Sequence, residues 1–300
     1  MTLTAPRPLP PTQIGPRLFE WGSRTYVMGI VNVTPDSFSG DGLLAGASGQ
    51  RGAAVEAAVE VAVEVAVAQA RGMVADGADI LDVGGESTRP GHAAVTESDE
   101  MSRVVPVIAA IHAALPDLPI SVDTTKPGVA AAALDAGAAL LNDVWGVAPD
   151  DAMARLAAAR GVPLVLMHNR AEAHYADFLA ELVADLRAAL DRAIAVGVPP
   201  ANLIVDPGFG FGKTPEQNLV ALRELARLRA LGRPVLLGTS RKSTIGRILG
   251  GAPPEERLEG TLATTALGIA CGADIVRVHD VRANTLAARV ADAVVRGYRP

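Results

Sequence analysis

Short apolar runs recur along the chain, and each gives way to polar residues. VMGIVNV (27–33) runs into TPDSFSGDG (34–42), ILDV into GGESTRPG (80–91), ISV into DTTKPG (120–128), and LLND ends at Asp143. LVLMHN (164–169), LIV before DPGFGFGKT (203–214), VLLG before TSRKSTIG (235–246) and DIVRV before HD (274–280) complete the series. Runs of this length, rich in Val, Ile and Leu, read as buried strands. Between them lie Ala/Leu/Glu/Arg-rich segments of helical character at 97–114, 126–136, 149–160, 172–196, 215–231, 255–271 and 282–296. Alternation of strand and helix predicts a parallel sheet, and eight units predict its closure into a single (β/α)8 TIM barrel of the α/β class.

Two stretches need a separate reading. VEAAVEVAVEVAVAQA (55–70) alternates valine with period two, which suggests a strand, but its length, its alanine content and the strand–helix alternation predict a helix. The first residues, MTLTAPRPLPPTQIGPR, are rich in proline and predict an extended, poorly ordered tail through about Arg17. LFEWGSRTYVMG then reads as a short hairpin leading into the first barrel strand. Residues 1–25 are thus assigned to the tail and the start of the hairpin, and 26–300 to one barrel domain.

Composition narrows the function classes. Hydrophobic residues make up 49% of 300 but aromatics only 3%, so Ala, Val and Leu must fill the core. The net charge of −6 argues against a general nucleic-acid or anionic-membrane surface, so basic residues that matter should sit locally in a pocket. The single cysteine, Cys271, excludes an intrachain disulfide and lies in the apolar stretch ALGIACGAD, where a core role is expected. No stretch is long and apolar enough to span a membrane, and the N-terminus lacks a hydrophobic signal core. A cytoplasmic protein is expected.

In a barrel of this kind the strand ends converge on one active site. Asp123, Asn142 and Asp206 each end or follow an apolar strand. A carboxylate accepts hydrogen bonds and an amide both accepts and donates, so together they can read a planar heterocycle bearing N–H and NH2 groups. Each alone could instead cap the following helix. Thr239-Ser240-Arg241-Lys242-Ser243 follows the seventh strand, where this fold often binds phosphate. Lys242 could bind phosphate or form a Schiff base. Arg277 and His279, separated by one residue, project to the same side of the eighth strand and make an anion site; a buried salt bridge or a satisfied core histidine is the alternative. GFGFGKT (208–214) resembles a phosphate-cradling loop, but the Walker pattern needs glycine where Pro207 stands. Its glycines are expected to serve a tight turn and close ligand approach. Asn32 ends the first strand and could offer an oxygen to Mg2+, with 34–42 as a mobile lid. The histidines lack the spacing of a zinc site.

Taken in order, NVTPDSFSGDG, DVGGESTRPG, SVDTTKP, NDV, DPGFGFGKT, GTSRKSTIG and RVHDV resemble the dihydropteroate synthase family over about 27–296. The resemblance implies a (β/α)8 fold and condensation of 6-hydroxymethyl-7,8-dihydropterin diphosphate with p-aminobenzoate, giving 7,8-dihydropteroate and pyrophosphate. It implies that Asp123, Asn142, Asp206 and Lys242 bind the pterin. Asn32, Arg277 and His279 would hold the diphosphate with Mg2+, Asn32 as metal ligand. Thr88, Arg89, Pro90, Phe211 and Ser240 would form the p-aminobenzoate pocket, and loops 34–42 and 84–96 would close over the diphosphate. Asp123, Lys242, Arg277 and His279 would carry the chemistry, and the partner is expected to be a second copy in a homodimer. A catalytically silent pterin-binding paralogue and a methyltetrahydrofolate–corrinoid methyltransferase are the competing readings. The second does not need NVTPDSF, SRKS or RVHD. The chain departs from the family's usual MHMQG after the fifth strand, reading Met167-His168-Asn169-Arg170.

Overall fold

The computed structural model describes residues 9–33, 53–86, 95–146 and 150–298. Two short antiparallel strands, β1 (Thr12–Ile14) and β2 (Arg17–Phe19), form a hairpin. Eight parallel strands follow: β3 (Tyr26–Asn32), β4 (Ile80–Gly84), β5 (Ile120–Asp123), β6 (Leu140–Asp143), β7 (Leu164–Met167), β8 (Leu203–Asp206), β9 (Leu236–Leu237) and β10 (Ile275–Val278). They pair in the order β8-β7-β6-β5-β4-β3-β10-β9, and a parallel bridge between Val205 and Val235 joins the two ends. The barrel expected from the alternation is therefore present.

The crossovers are helical. α1 (Ala53–Ala75), α2 (Glu97–Ala114), α3 (Pro127–Asp135), α4 (Ala152–Arg160) and α5 (Phe178–Ala195) follow the first five barrel strands. α6 (Pro215–Arg223) follows β8, α7 (Ser243–Ile248) and α8 (Leu258–Ala270) follow β9, and α9 (Val281–Arg296) ends the barrel. The valine-alternating stretch lies within α1, as its length required. The segment 215–231 is not one helix: α6 stops at Arg223 and a 3-10 turn runs over Leu225–Leu231.

The N-terminal expectation needs correction. The hairpin spans Thr12–Phe19 and is ordered, whereas the sequence reading put a tail through about Arg17 and the hairpin after it. Its turn uses Gly15 at φ +54 beside Pro16. What orders it is tertiary. Ile14, Phe19 and Trp21 join Tyr26 in one cluster with the inward residues Met28, Ile80, Leu140, Val165, Ile204, Leu236 and Ile275. Phe19 packs 4.6 Å from Tyr26 and 5.7 Å from Trp21 between ring centroids. Trp21 Nε1 donates to Thr12 Oγ1 at 2.9 Å, and Thr12 donates to the Ala201 carbonyl at 2.6 Å. The hairpin thus closes the base of the barrel.

Strand alternation sorts side chains into two cores. Outward residues such as Val31, Leu81, Val83, Val122, Leu141 and Val205 pack with the helices. Inward residues are apolar in the lower layers and turn polar toward the C-terminal ends, where Asp82 pairs in register with Ser121 and Asp123 with Asn142. That change of chemistry along the barrel axis creates the site.

Candidate active site

Asp82 lies in the middle of β4, fully buried, and was not singled out from the sequence. Its Oδ2 accepts from Arg277 Nε at 2.5 Å and from Asn142 Nδ2 at 3.0 Å. Arg277 Nη2 continues to Asp123 Oδ2 at 2.6 Å. One guanidinium on β10 thereby ties carboxylates on β4 and β5. The fork geometry of arginine suits such a double pair. Arg277 thus makes a buried salt bridge and also lines the cleft above it.

Above this pair opens a cleft lined by Asp123, Asn142, Met167, Asp206, Phe211, Lys242 and Arg277 among others. The structure therefore brings together all four residues expected to read a heterocycle. Burial pushes the Asp123 carboxyl up to about 7, against the pull of Arg277 and with a push from Asp82. Burial likewise raises Asp206 to about 6, although the Gly208 amide donates to its Oδ1 at 2.6 Å. Burial disfavours the charge of Arg277, but Asp82 and Asp123 outweigh it and hold the guanidinium above its ordinary range. Among the described residues, the buried Asp123 Oδ1, Asp82 Oδ1 and Ser121 Oγ have no hydrogen-bond partner. Of the three, Asp123 lines the cleft, and an unmatched acceptor there is what an N–H group of a ligand can satisfy.

The loop after β9 sets a second group of residues. Arg241 adopts φ +56, the one positive φ of a non-glycine among the described residues. Its backbone N–H donates to Thr261 Oγ1 at 3.1 Å, and its carbonyl accepts from Arg257 Nη1 at 2.9 Å. Its guanidinium pairs with both oxygens of Asp280 at 2.6 and 3.0 Å. The turn so fixed sends Ser240 toward β10 and Lys242 toward the cleft. Ser240 Oγ accepts from the His279 amide at 3.1 Å and lies 3.0 Å from its Nδ1. Lys242 Nζ sits 3.9 Å above the Phe211 ring, a cation–π arrangement.

The loop after β8 turns on Gly208, Gly210 and Gly212, all at positive φ. A Cβ on Gly208 would stand 1.9 Å from the His168 carbonyl oxygen, and one on Gly212 2.3 Å from that of Arg170. Close backbone approach, anticipated for a ligand, is here between two loops. Lys213 is not presented as a phosphate ligand. Its Nζ donates to the carbonyls of His168, Gly208 and Phe211 at 3.2, 3.1 and 2.9 Å. The departing segment His168-Asn169-Arg170 packs against this loop. His168 Nε2 lies 3.1 Å from Asp185 Oδ2, Arg170 pairs with Asp185 and Glu181 at 2.7 Å each, and Asn169 donates to the Val144 carbonyl at 3.2 Å.

Asn32 is half-buried at the end of β3, in register with Gly84. Thr88, Arg89 and Pro90, the lid 34–42 and most of the loop 84–96 fall outside the described residues. Asp82, Lys213 and Asp185 are functional candidates missed from the sequence. Asp82 carried a signal, a charge at an inward position of an apolar strand. Asp185 did not, because its spacing on α5 matches any exposed helical acid. Among the described residues no group of three or more His, Cys, Asp or Glu could hold a metal. Asn32 offers one hard oxygen, which suits a Mg2+ whose other ligands are phosphates and water.

Comparison with known proteins agrees with this geometry. Residues 28–279 match the family of pterin binding enzymes. A dihydropteroate synthase of Clostridium beijerinckii is 49% identical over 287 residues, covering 95% of this chain and 99% of that one. The solved dihydropteroate synthase of Clostridium difficile, determined in the presence of pteroic acid, superposes with a TM-score of 0.83 at 45% identity, covering 92% of this chain and 98% of that one. That of Xanthomonas albilineans, with 4-aminobenzoic acid, gives 0.84 at 42% identity, covering 95% and 98%.

Proposed function

This chain belongs to the pterin-binding enzyme family, among its dihydropteroate synthases, and on that premise we propose how its cleft carries out their transferase reaction. Asp206 and Asn142 read the pyrimidine edge of the dihydropterin. The Asp206 carboxylate accepts ring N–H and NH2 donors, and the Asn142 amide complements them. The Asp123 Oδ1 without a donor is the observation that carries this reading, because a ligand N–H at that point of the cleft would satisfy it. Lys242 and Phe211, 3.9 Å apart, border the ring.

The C–O bond to the diphosphate breaks and its electron pair leaves with the pyrophosphate. Positive charge left on the methylene carbon spreads into the dihydropterin, and the Asp123 carboxylate stabilises it electrostatically. The aromatic amine of p-aminobenzoate attacks that carbon and then loses one proton. No enzyme nucleophile is needed. We assign the diphosphate to Asn32, His279 and Arg277, and p-aminobenzoate to Ser240, Phe211, Thr88, Arg89 and Pro90. A Mg2+ ion, when bound, would neutralise charge on the leaving diphosphate, and Asn32 is the residue that would offer it an oxygen.

Two further assignments follow. Ile248 and the adjoining Leu249 at the end of α7, Leu267 on α8, and Leu286, Val290 and Val294 on α9 are exposed, which supports a homodimer through this side of the barrel. Among the described residues no helix is long and apolar enough to cross a membrane. With its single, buried thiol at Cys271, the chain fits the reducing cytoplasm. The test is inhibition: a sulfonamide should compete with p-aminobenzoate and not with the pterin diphosphate. Competition with the pterin substrate instead would overturn the two-pocket assignment.

A further inference from the structure

Two features that the proposed reaction leaves unused, the lysine of GFGFGKT and the atypical segment after β7, meet in one buried cluster. Lys213 Nζ lies 3.0 Å from His168 Nδ1 and within 3.2 Å of three carbonyl oxygens. His168 is fully buried, and its Nε2 faces Asp185. The proton positions follow from the partners. An ammonium has three N–H groups for these four acceptors, so one is shared; it only donates, so Nδ1 accepts and the imidazole proton sits on Nε2, pointing to Asp185. His168 is therefore neutral, in keeping with burial and then Lys213 holding it down to about 4; burial also lowers the Lys213 ammonium to about 7, against the pull of Asp206.

The cluster joins the loop after β7 to the loop after β8. Two of the three carbonyls that Lys213 holds, Gly208 and Phe211, belong to the second loop. That loop begins at Asp206 and carries the Phe211 ring that lies under Lys242 at the cleft wall. Gly208 and Gly212 press against the backbone of His168 and Arg170, so the loop has no room to settle elsewhere on this side.

We propose that Lys213 is a positioning residue for the reaction, its ammonium group fixing the loop after β8 and thereby the Phe211 ring, with His168 and Asp185 holding the ammonium in place. The proposal rests on the synthase reading above, which gives Phe211 to the p-aminobenzoate pocket. Lys213 touches neither substrate in this account and acts on KM through Phe211.

The test is steady-state kinetics of the full chain carrying Lys213→Met, His168→Leu or His168→Gln. Lys213→Met is expected to raise the KM for p-aminobenzoate at least tenfold with kcat within threefold of wild type. His168→Leu removes the acceptor and should raise the KM at least fivefold. His168→Gln keeps an acceptor for Lys213 and a donor for Asp185, and should stay within threefold of wild type. A purely structural role would reduce the yield of folded enzyme without moving KM, and that result overturns the proposal. If Lys213→Met does not fold, the two histidine variants decide: equal KM values overturn it. Failure of the wild type to release pyrophosphate would reject the synthase reading instead. In that case side-chain NMR of 15N-lysine-labelled protein decides. An exchange-protected Lys213 ammonium signal that is lost in His168→Leu supports the proposal, and its persistence there overturns it.

Discussion

Arg277 Nη2, on β10, lies 2.6 Å from Asp123 Oδ2, on β5, while Nε of the same guanidinium holds Asp82. One cation thus balances two buried carboxylates across the barrel mouth. Removing one partner of a buried pair leaves uncompensated charge and costs about 3–5 kcal/mol. Arg277→Ala should therefore lower stability by about that amount in urea unfolding, besides weakening binding of the pterin diphosphate. Arg277→Lys keeps the charge but loses the fork, and should recover only part of both. Wild-type stability in Arg277→Ala would refute the assignment of this pair as the support of the site.

Asp206 predicts a pH dependence. Its carboxyl is raised from 3.8 to about 6, first by burial. Folding favours the protonated form, so this contribution to stability is complete below about 4 and is lost as pH rises through 6. A displacement of about two pH units corresponds to about 3 kcal/mol. Asp206→Asn should be more stable than wild type at pH 7 by up to that amount, and the difference should vanish toward pH 4. Urea unfolding across this range checks it, and parallel stability curves for the two proteins would contradict it. The same titration makes pterin binding by wild type tighten as pH rises from 5 to 7, because the acceptor is the carboxylate.

Arg241 stands in the left-handed region at φ +56, which costs an L-residue about 1–2 kcal/mol. Its pair with Asp280 and its bonds to Thr261 and Arg257 hold it there. Arg241→Ala and Arg241→Gly both lose the pair, but only glycine relieves the backbone. Glycine should be the more stable variant by about 1 kcal/mol, the reverse of the usual order. Both should lose activity, because Ser240 and Lys242 flank the turn. An alanine variant at least as stable as the glycine variant would remove the argument from strain.

Phe19 tests the separation of base from mouth. It is 1% exposed and packs on Trp21 and Tyr26. Truncating a buried Phe to Ala costs about 3–5 kcal/mol. Phe19→Ala should show that loss in thermal or urea unfolding, with both KM values unchanged in the folded enzyme. A shift in either KM would mean that the hairpin does more than close the barrel.

The barrel was legible because each strand is an unbroken apolar run and each run ends in polar residues. Asp123, Asn142, Asp206 and Lys242 could be gathered for the same reason: strand ends in this fold converge. The hairpin was misplaced because proline-rich sequence signals a lack of local order, whereas Ile14 and Phe19 gain theirs from distant partners such as Ile204 and Leu236. Arg277 was legible as a cation at the mouth, but not its pairing with Asp82 and Asp123, because strand sequence alone does not show which inward residues of other strands it meets. Lys213 was hidden behind a familiar motif. Only the fold reveals that its partners are carbonyls of two adjacent loops.

The central claim is that the carboxylates and amide at this mouth read a dihydropterin. The direct measurement is pyrophosphate release by wild type and Asp206→Asn, varying each substrate in turn. Each hydrogen bond to a charged group contributes about 1.5–3 kcal/mol. Wild type should release pyrophosphate only with both substrates and Mg2+ present, and Asp206→Asn should lose at least about 100-fold in kcat/KM for the pterin diphosphate with the KM for p-aminobenzoate unchanged. A folded Asp206→Asn variant with wild-type kcat/KM for the pterin substrate would contradict the account.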